Sequence, residues 1–353
     1  SMVSSNTAQA AVQGIIPDLV PESQRGLFSG IKTLFEVPLP LIFISFVIGK
    51  MIAGNNFWGV LILLIGIILI SMIGTLFIPE KNLDANSDPF DWQPILRLLL
   101  MTAVFTSTIL ILGRGIKVGI RWAAQFSPLA AQFIVVSLGL FSMSIAIGFG
   151  VWSSIRISLG AHKTGNSSFA WWVVNRLTFL VGATNVAGFL LFLLQEKFPG
   201  LVGEKAAEPA ARLVFFVGIF LLLLAVPSGR LSDRFGRMPL IALSGILAAV
   251  GTFVVMIARQ MIGIYIGGSL IGAGTGIFYA ANWALGTDLV PKKAAGRYLG
   301  ISNLAGAGAG AIGAYLGGPI GDMYGYSLLL GVYGLLFLLS LIALAKIKLK
   351  PSV

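Results

Sequence analysis

The sequence predicts an all-α, polytopic membrane bundle, and three observations predict it. Of 353 residues, 57% are hydrophobic and only 10% are charged. An ordinary soluble domain carries about 45–50% apolar and about 25% charged residues. Mean hydropathy is +0.93, so the polar side chains are too few to cover a water-facing surface. The apolar residues also come in runs of about 20, the length a helix needs to cross roughly 30 Å of hydrocarbon. These facts exclude a soluble enzyme, a disordered regulator and a fibrous repeat. The 44 glycines show no Gly-X-Y period, which excludes collagen.

Ten full spans follow in order, at residues 33–53, 57–78, 95–113, 129–151, 169–194, 210–228, 239–258, 262–286, 299–320 and 327–346. Residues 5–16 make an eleventh, half-length piece. Runs this long exceed packed strands, and lipid tolerates no open sheet edge, so the spans are helices. With the loop 17–32 placed in the cytoplasm, sixteen of the 24 Lys and Arg fall on the cytoplasmic side and eight opposite. That bias puts the C-terminus inside a plasma or inner membrane. It also accounts for the net charge of +11 with no nucleic acid involved. Arg114, Lys117 and Arg121 break the pattern. Either they line one face of a short helix at the headgroups, or the hairpin 95–151 is drawn differently. With no cysteine and a single histidine, His162, the chain offers no disulfide, thiolate or metal centre. No cofactor is expected.

A shift of 270 residues lays Asp18-Leu19-Val20-Pro21 on Asp288-Leu289-Val290-Pro291. It also lays Gly26 on Gly296, Gly30 on Gly300, Ile31 on Ile301 and Leu34 on Leu304, with Ala10 and Ala11 on Ala280 and Ala281. Ten identities in the 25 positions from 10 to 34 mark an internal repeat. Two like-oriented bundles are the mark of a parallel-repeat transporter. Arg25 and Arg297 sit just after the two repeated loops. Four spans precede the second Asp-Leu-Val-Pro and half a span the first. On symmetry, some three and a half helices are missing upstream, and the chain reads as a fragment.

Between spans 210–228 and 239–258 lies Gly229-Arg230-Leu231-Ser232-Asp233-Arg234-Phe235-Gly236-Arg237-Met238. It resembles the cytoplasmic signature of the major facilitator superfamily, Gly-x-Leu-Ala-Asp-Arg-x-Gly-Arg-Arg/Lys. The match falls at Gly229, Leu231, Asp233, Arg234, Gly236 and Arg237, and Met238 departs from the final basic residue. The resemblance implies that Asp233 and Arg234 pair with each other and with a neighbouring helix end, as a cytoplasmic gate. It further implies that 1–78 is what remains of an N-terminal bundle and 169–353 a six-helix C-terminal bundle. Residues 79–168 then carry a linker and an extra hairpin, similar to the insert of peptide transporters. The Asp-Leu-Val-Pro-Glu loop and the entry Trp171, Trp172, Arg176 resemble sugar:cation symporter branches.

Ionisable groups inside spans are costly, so each is a candidate site residue. Glu36 is followed by Pro38 and Pro40, which break the helical ladder. It either couples a proton or cation, or pairs with Lys32 four residues back. Arg176 either meets an anionic solute group or snorkels to the surface. Asn175, Thr178, Gly182 and Asn185 form one polar stripe, which lines a cavity or bonds a neighbouring helix. Thr275, Tyr279, Asn282 and Trp283 share a face whose repeat counterpart holds Gln9 and Gln13. These groups suit a polar, sugar-like solute, or for Trp283 an aromatic belt. Two small-residue series, Gly268, Gly272, Gly276 and Gly306, Gly310, Ala314, Gly318, predict close helix contact.

The function expected is secondary transport of a small solute by alternating access, coupled to H+ or Na+, by a monomer in the bilayer. The rival readings are a non-transporting membrane sensor or scaffold and a membrane-embedded enzyme. The enzyme would need a charged catalytic cluster, which these spans lack.

Overall fold

The computed structural model describes residues 20–21, 24–36, 38–43, 47–48, 51, 56–77, 92–159, 167–201, 207–290 and 295–348. Among them every regular element is helical. In chain order these are α1 (Arg25–Glu36), α2 (Pro38–Phe43), α3 (Phe57–Thr75), α4 (Gln93–Ala123), α5 (Pro128–Leu159) and α6 (Ser167–Gly188). There follow α7 (Leu190–Lys197), α8 (Ala207–Phe235), α9 (Arg237–Ile257), α10 (Met261–Leu289), α11 (Ala295–Tyr324) and α12 (Tyr326–Ala345).

Seven helices are long and apolar enough to cross a membrane, and α6 with α7, bent by 54° between them, makes an eighth. That is fewer than the ten spans expected, for two reasons. Part of the span 33–53 lies outside the described residues, which are helical over Arg25–Glu36 and Pro38–Phe43. The span 299–320 lies inside the thirty-residue α11, whose many glycines dilute its apolar content. The break between α6 and α7 falls at Gly188 and Phe189, the kind of site where helices kink.

The hairpin also departs from expectation. α4 runs unbroken to Ala123, with Ile116 and Ile120 fully buried. Arg114, Lys117 and Arg121 therefore ride on a transmembrane helix rather than on a short surface one. Lys117 holds its ammonium 5.7 Å from the Tyr315 ring centroid. Nor does the hairpin stand apart from the C-terminal helices. Gly113 admits Tyr315 of α11, and the Phe105 ring lies against Gly150 of α5 and Gly308 of α11.

The core centres on α6, α10 and α12. Phe179 and Phe278 stack at 3.6 Å between centroids, and Phe337 meets Phe179 edge-on at 4.9 Å. Small residues set the remaining contacts. Gly268, Gly272 and Gly276 face Leu213, Val217 and Leu221 of α8, as their spacing predicts. The second series behaves otherwise. Gly310 has no neighbour within 4 Å, and Gly306 and Gly318 reach only loose contacts at 3.9 Å. The glycines of α11 that are in close contact are Gly308, Gly313, Gly317 and Gly321, on other faces of the same helix.

Two corners need glycine. Gly236, between α8 and α9, has φ +90°, and Gly325, between α11 and α12, has φ +93°, a region where other residues are strained. Beside Gly325, the Glu196 carboxylate accepts from the amides of Tyr326 and Ser327 at the N-terminus of α12. The next residue, Lys197, donates to the carbonyls of Met256 and Ala258 at 2.7 and 3.0 Å, at the C-terminus of α9. An acid on a helix N-terminus and a cation on a C-terminus both oppose the macrodipole.

At the α9–α10 crossing, a Cβ on Gly251 would lie 2.6 Å from the carbonyl oxygen of Gly267. Gly251→Leu should cost about 1–3 kcal/mol by overpacking, lowering the thermal midpoint in detergent. Gly74→Ala in α3, where no atom lies within 4 Å, should leave the midpoint unchanged.

Candidate functional site

At one end of the bundle, α1 crosses α8 and α10. Gly26 and Gly229 meet backbone to backbone, and Gly30 reaches the carbonyl of Ala225. The approach lets Asp233, on the last turn of α8, reach the start of α1. Its Oδ1 accepts from the Gly26 amide at 2.9 Å and its Oδ2 from the Leu27 amide at 3.0 Å. A carboxylate there satisfies two amides that have no partner within the helix and meets the positive end of the dipole. Arg237 lies 3.6 Å from Asp233 and 2.6 Å from Asp288 through its Nε. Arg25 closes the set, 3.1 Å from Asp288 and 3.4 Å from the carbonyl oxygen of Thr287. Two acids and two arginines from α1, α8, α9 and α10 thus join one network. Arg234 is not in it. Its guanidinium lies exposed, 5.3 Å from the Phe235 ring, so the signature acid pairs with Arg237 instead. Asp18 lies outside the described residues, as does the side chain of Arg297.

Deeper along α1, a second cluster forms between α1, α6, α10 and α12. Lys32 and Glu36 pair at 2.6 Å across one turn, the local pairing their spacing predicts. Lys32 Nζ also sits 4.0 Å from the Trp283 ring centroid, and the Arg176 guanidinium lies 4.8 Å from the same ring. Two cations therefore share one indole, an arrangement that strengthens in dry surroundings. Arg176 donates to Asn282 Oδ1 at 3.2 Å. Asn282 donates to Asn175 Oδ1 at 2.8 Å, and Asn175 donates to the Ser340 carbonyl at 2.8 Å. Trp172 adds a bond to the Asn282 carbonyl at 2.9 Å. Arg176 is 7% exposed and Trp283 2%, yet among the described residues the Arg176 Nε and the Trp283 Nε1 have no hydrogen-bond partner.

The structure brings Glu36, Asn175, Arg176, Asn282 and Trp283 together, with the half-buried Tyr279 one helical turn from Trp283 on α10. It sets the others apart. Asn185 donates to the carbonyls of Val181 and Ala309. Thr178 bonds the carbonyl of Val174, and Thr275 that of Ile271, both on their own helices. Of the two roles open to the stripe, Asn175 and Asn185 serve helix-to-helix bonding. Gln9 and Gln13 lie outside the described residues. Sequence reasoning missed Lys32 as a site residue, although its spacing from Glu36 was visible. It also missed Trp172 and Ser340, whose roles depend on contacts 110 and 165 residues distant.

Asn282→Ala removes the acceptor of Arg176 and the donor to Asn175 together. The expected loss is about 0.6–1.7 kcal/mol for polar bonds of this kind in a membrane, read as a lower thermal midpoint. Asp233→Asn weakens the cap on α1. Exchange of the Gly26 and Leu27 amides should quicken about tenfold, as expected for about 1.4 kcal/mol.

Comparison with known proteins adds three findings. Residues 205–352 match the family model of the Major Facilitator Superfamily. The chain is 30% identical over 126 residues to multidrug resistance protein fnx1 of Schizosaccharomyces pombe, an alignment covering 35% of this chain and 24% of that protein. The chain thus spans about a quarter of the length of this curated relative. The human organic anion transporter MFSD10 (TETRAN) superposes with a TM-score of 0.51 at 12% identity, over 92% of this chain and 100% of that one. At that identity the likeness is one of fold. The family model thus falls on the C-terminal helices and takes in the signature from Gly229 to Arg237, so this part of the chain is similar to the Major Facilitator Superfamily.

Proposed function

We propose that this multi-pass membrane protein is a secondary transporter whose solute site is the cluster of Lys32, Arg176 and Trp283, and that the solute is an organic anion. One observation carries the reading. Two cations converge on a buried indole at the seam of α1 with α6 and α10, and both Arg176 Nε and Trp283 Nε1 lack a partner there. Buried donors without acceptors cost about 1–3 kcal/mol each, and an anionic acceptor would relieve that cost. A flat, aromatic anion would also stack on the indole. This reading replaces the neutral, sugar-like solute that hydroxyl and amide groups alone suggested. The human relative named above is itself described as an organic anion transporter.

In this scheme access to the site alternates between the two faces of the membrane as the helices rock around it. The Asp233 network holds α1 against the C-terminal helices in one state and opens in the other. Glu36 supplies the coupling. It competes with the solute for Lys32, so a proton or sodium ion arriving at Glu36 frees the ammonium for the anion. The network end faces the cytoplasm by its excess of basic residues.

Uptake of radiolabelled benzoate and of glucose into proteoliposomes tests the proposal. Benzoate flux should saturate, and Arg176→Gln or Lys32→Gln should lower its kcat/KM about tenfold or more, as expected for loss of about 1.4 kcal/mol. Saturable glucose flux without benzoate flux would overturn the anion reading. Absence of flux for either solute, with benzoate binding retained, would favour a sensor.

A further inference from the structure

We propose that the groove between α5, α6 and α12 seats one anionic phospholipid, whose headgroup lies at Arg156. The inference is independent of the transport reading, because the groove lies on the far side of α6 from Asn282 and shares none of the Lys32, Arg176 and Trp283 cluster.

The groove is a cavity of about 770 Å³. Its walls are mostly aliphatic, with no carboxylate among the lining residues. Along α5 it runs from Ser144 to Arg156, and along α6 from Thr178 to Ser167. At 1.5 Å per residue these stretches measure about 18 and about 16 Å. Half of a hydrocarbon core roughly 30 Å thick is about 15 Å. The groove therefore has the length of one leaflet, with its charged end where headgroups lie.

That end is built for a negative group at a membrane surface. Arg156 has no ion pair among the described residues, and its guanidinium rests 5.2 Å from the exposed Trp152 ring. Trp171 lines the opposite wall, on α6. Amphipathic tryptophans collect at the headgroup level. Basic recesses between transmembrane helices at such a surface recognise anionic headgroups.

Gly148 marks the seat of the acyl chain. It lines the groove in mid-helix, and a Cβ added there would meet no atom within 4 Å. Glycine weakens a helix interior by about 1 kcal/mol relative to alanine. No neighbouring helix uses the space this glycine leaves, and an acyl chain fills it.

The test uses the full chain reconstituted in vesicles of equal phosphatidylglycerol and phosphatidylcholine. The protein is extracted in mild detergent, and retained lipid is counted by mass spectrometry. Wild type should keep about one phosphatidylglycerol per chain. Arg156→Gln should reduce the preference over phosphatidylcholine about fivefold, the worth of about one basic residue at an anionic surface. Gly148→Trp, projecting into the groove, should abolish retention of either lipid. Equal retention of the two lipids by wild type would overturn the proposal, as would an unchanged preference in Arg156→Gln. Should Gly148→Trp fail to fold, the exposed Arg156→Gln decides alone.

Discussion

The Asp233 carboxylate, gripping the Gly26 and Leu27 amides in the first turn of α1, is the contact on which the arrangement of α1 depends. α1 as described has twelve residues, and a helix of that length gains little stability from its own ladder. What holds it is a charge at its positive end and two glycines that let the backbones touch. Remove the glycines and the carboxylate is held away from the amides; remove the carboxylate and the close approach loses its reward. The arginines Arg25 and Arg237 then neutralise the site, so that two acids and two bases lie together without net charge.

The same economy governs the interior. Lipid supplies no hydrogen bonds, so each polar group placed there needs a partner from the protein. Asn282 shows how far one side chain can serve. It takes a bond from Arg176, gives one to Asn175, and offers its backbone oxygen to Trp172. That chain of bonds ties α6, α10 and α12 at one level. The donors left over, on Arg176 and Trp283, stand beside Lys32. Donors of one polarity gathered at one level of the bundle define the chemistry of a guest.

Much of this was legible in sequence, because hydropathy and length alone determine which segments cross lipid. The signature around Asp233 and the repeat of Asp-Leu-Val-Pro were visible as letters. Other features depended on information that is not local. The true reach of α4 was hidden because Arg114, Lys117 and Arg121 looked like a surface stripe. Only the burial of Ile116 and Ile120 between them reveals the continuing span. The face of α11 that packs could not be chosen from its glycines, which occur on every side of the helix.

The helix α3 illustrates a different kind of constraint. None of its nineteen residues is buried, and leucines and isoleucines cover its whole circumference. Among the described residues no partner packs against its side chains, so shape complementarity there imposes nothing on their order. What is specified is a sum, the transfer free energy of the segment into hydrocarbon. A shuffled α3 of the same composition satisfies that sum equally well. Its sequence is thus a statement about solubility rather than about fit, and evolution is free to rewrite it letter by letter.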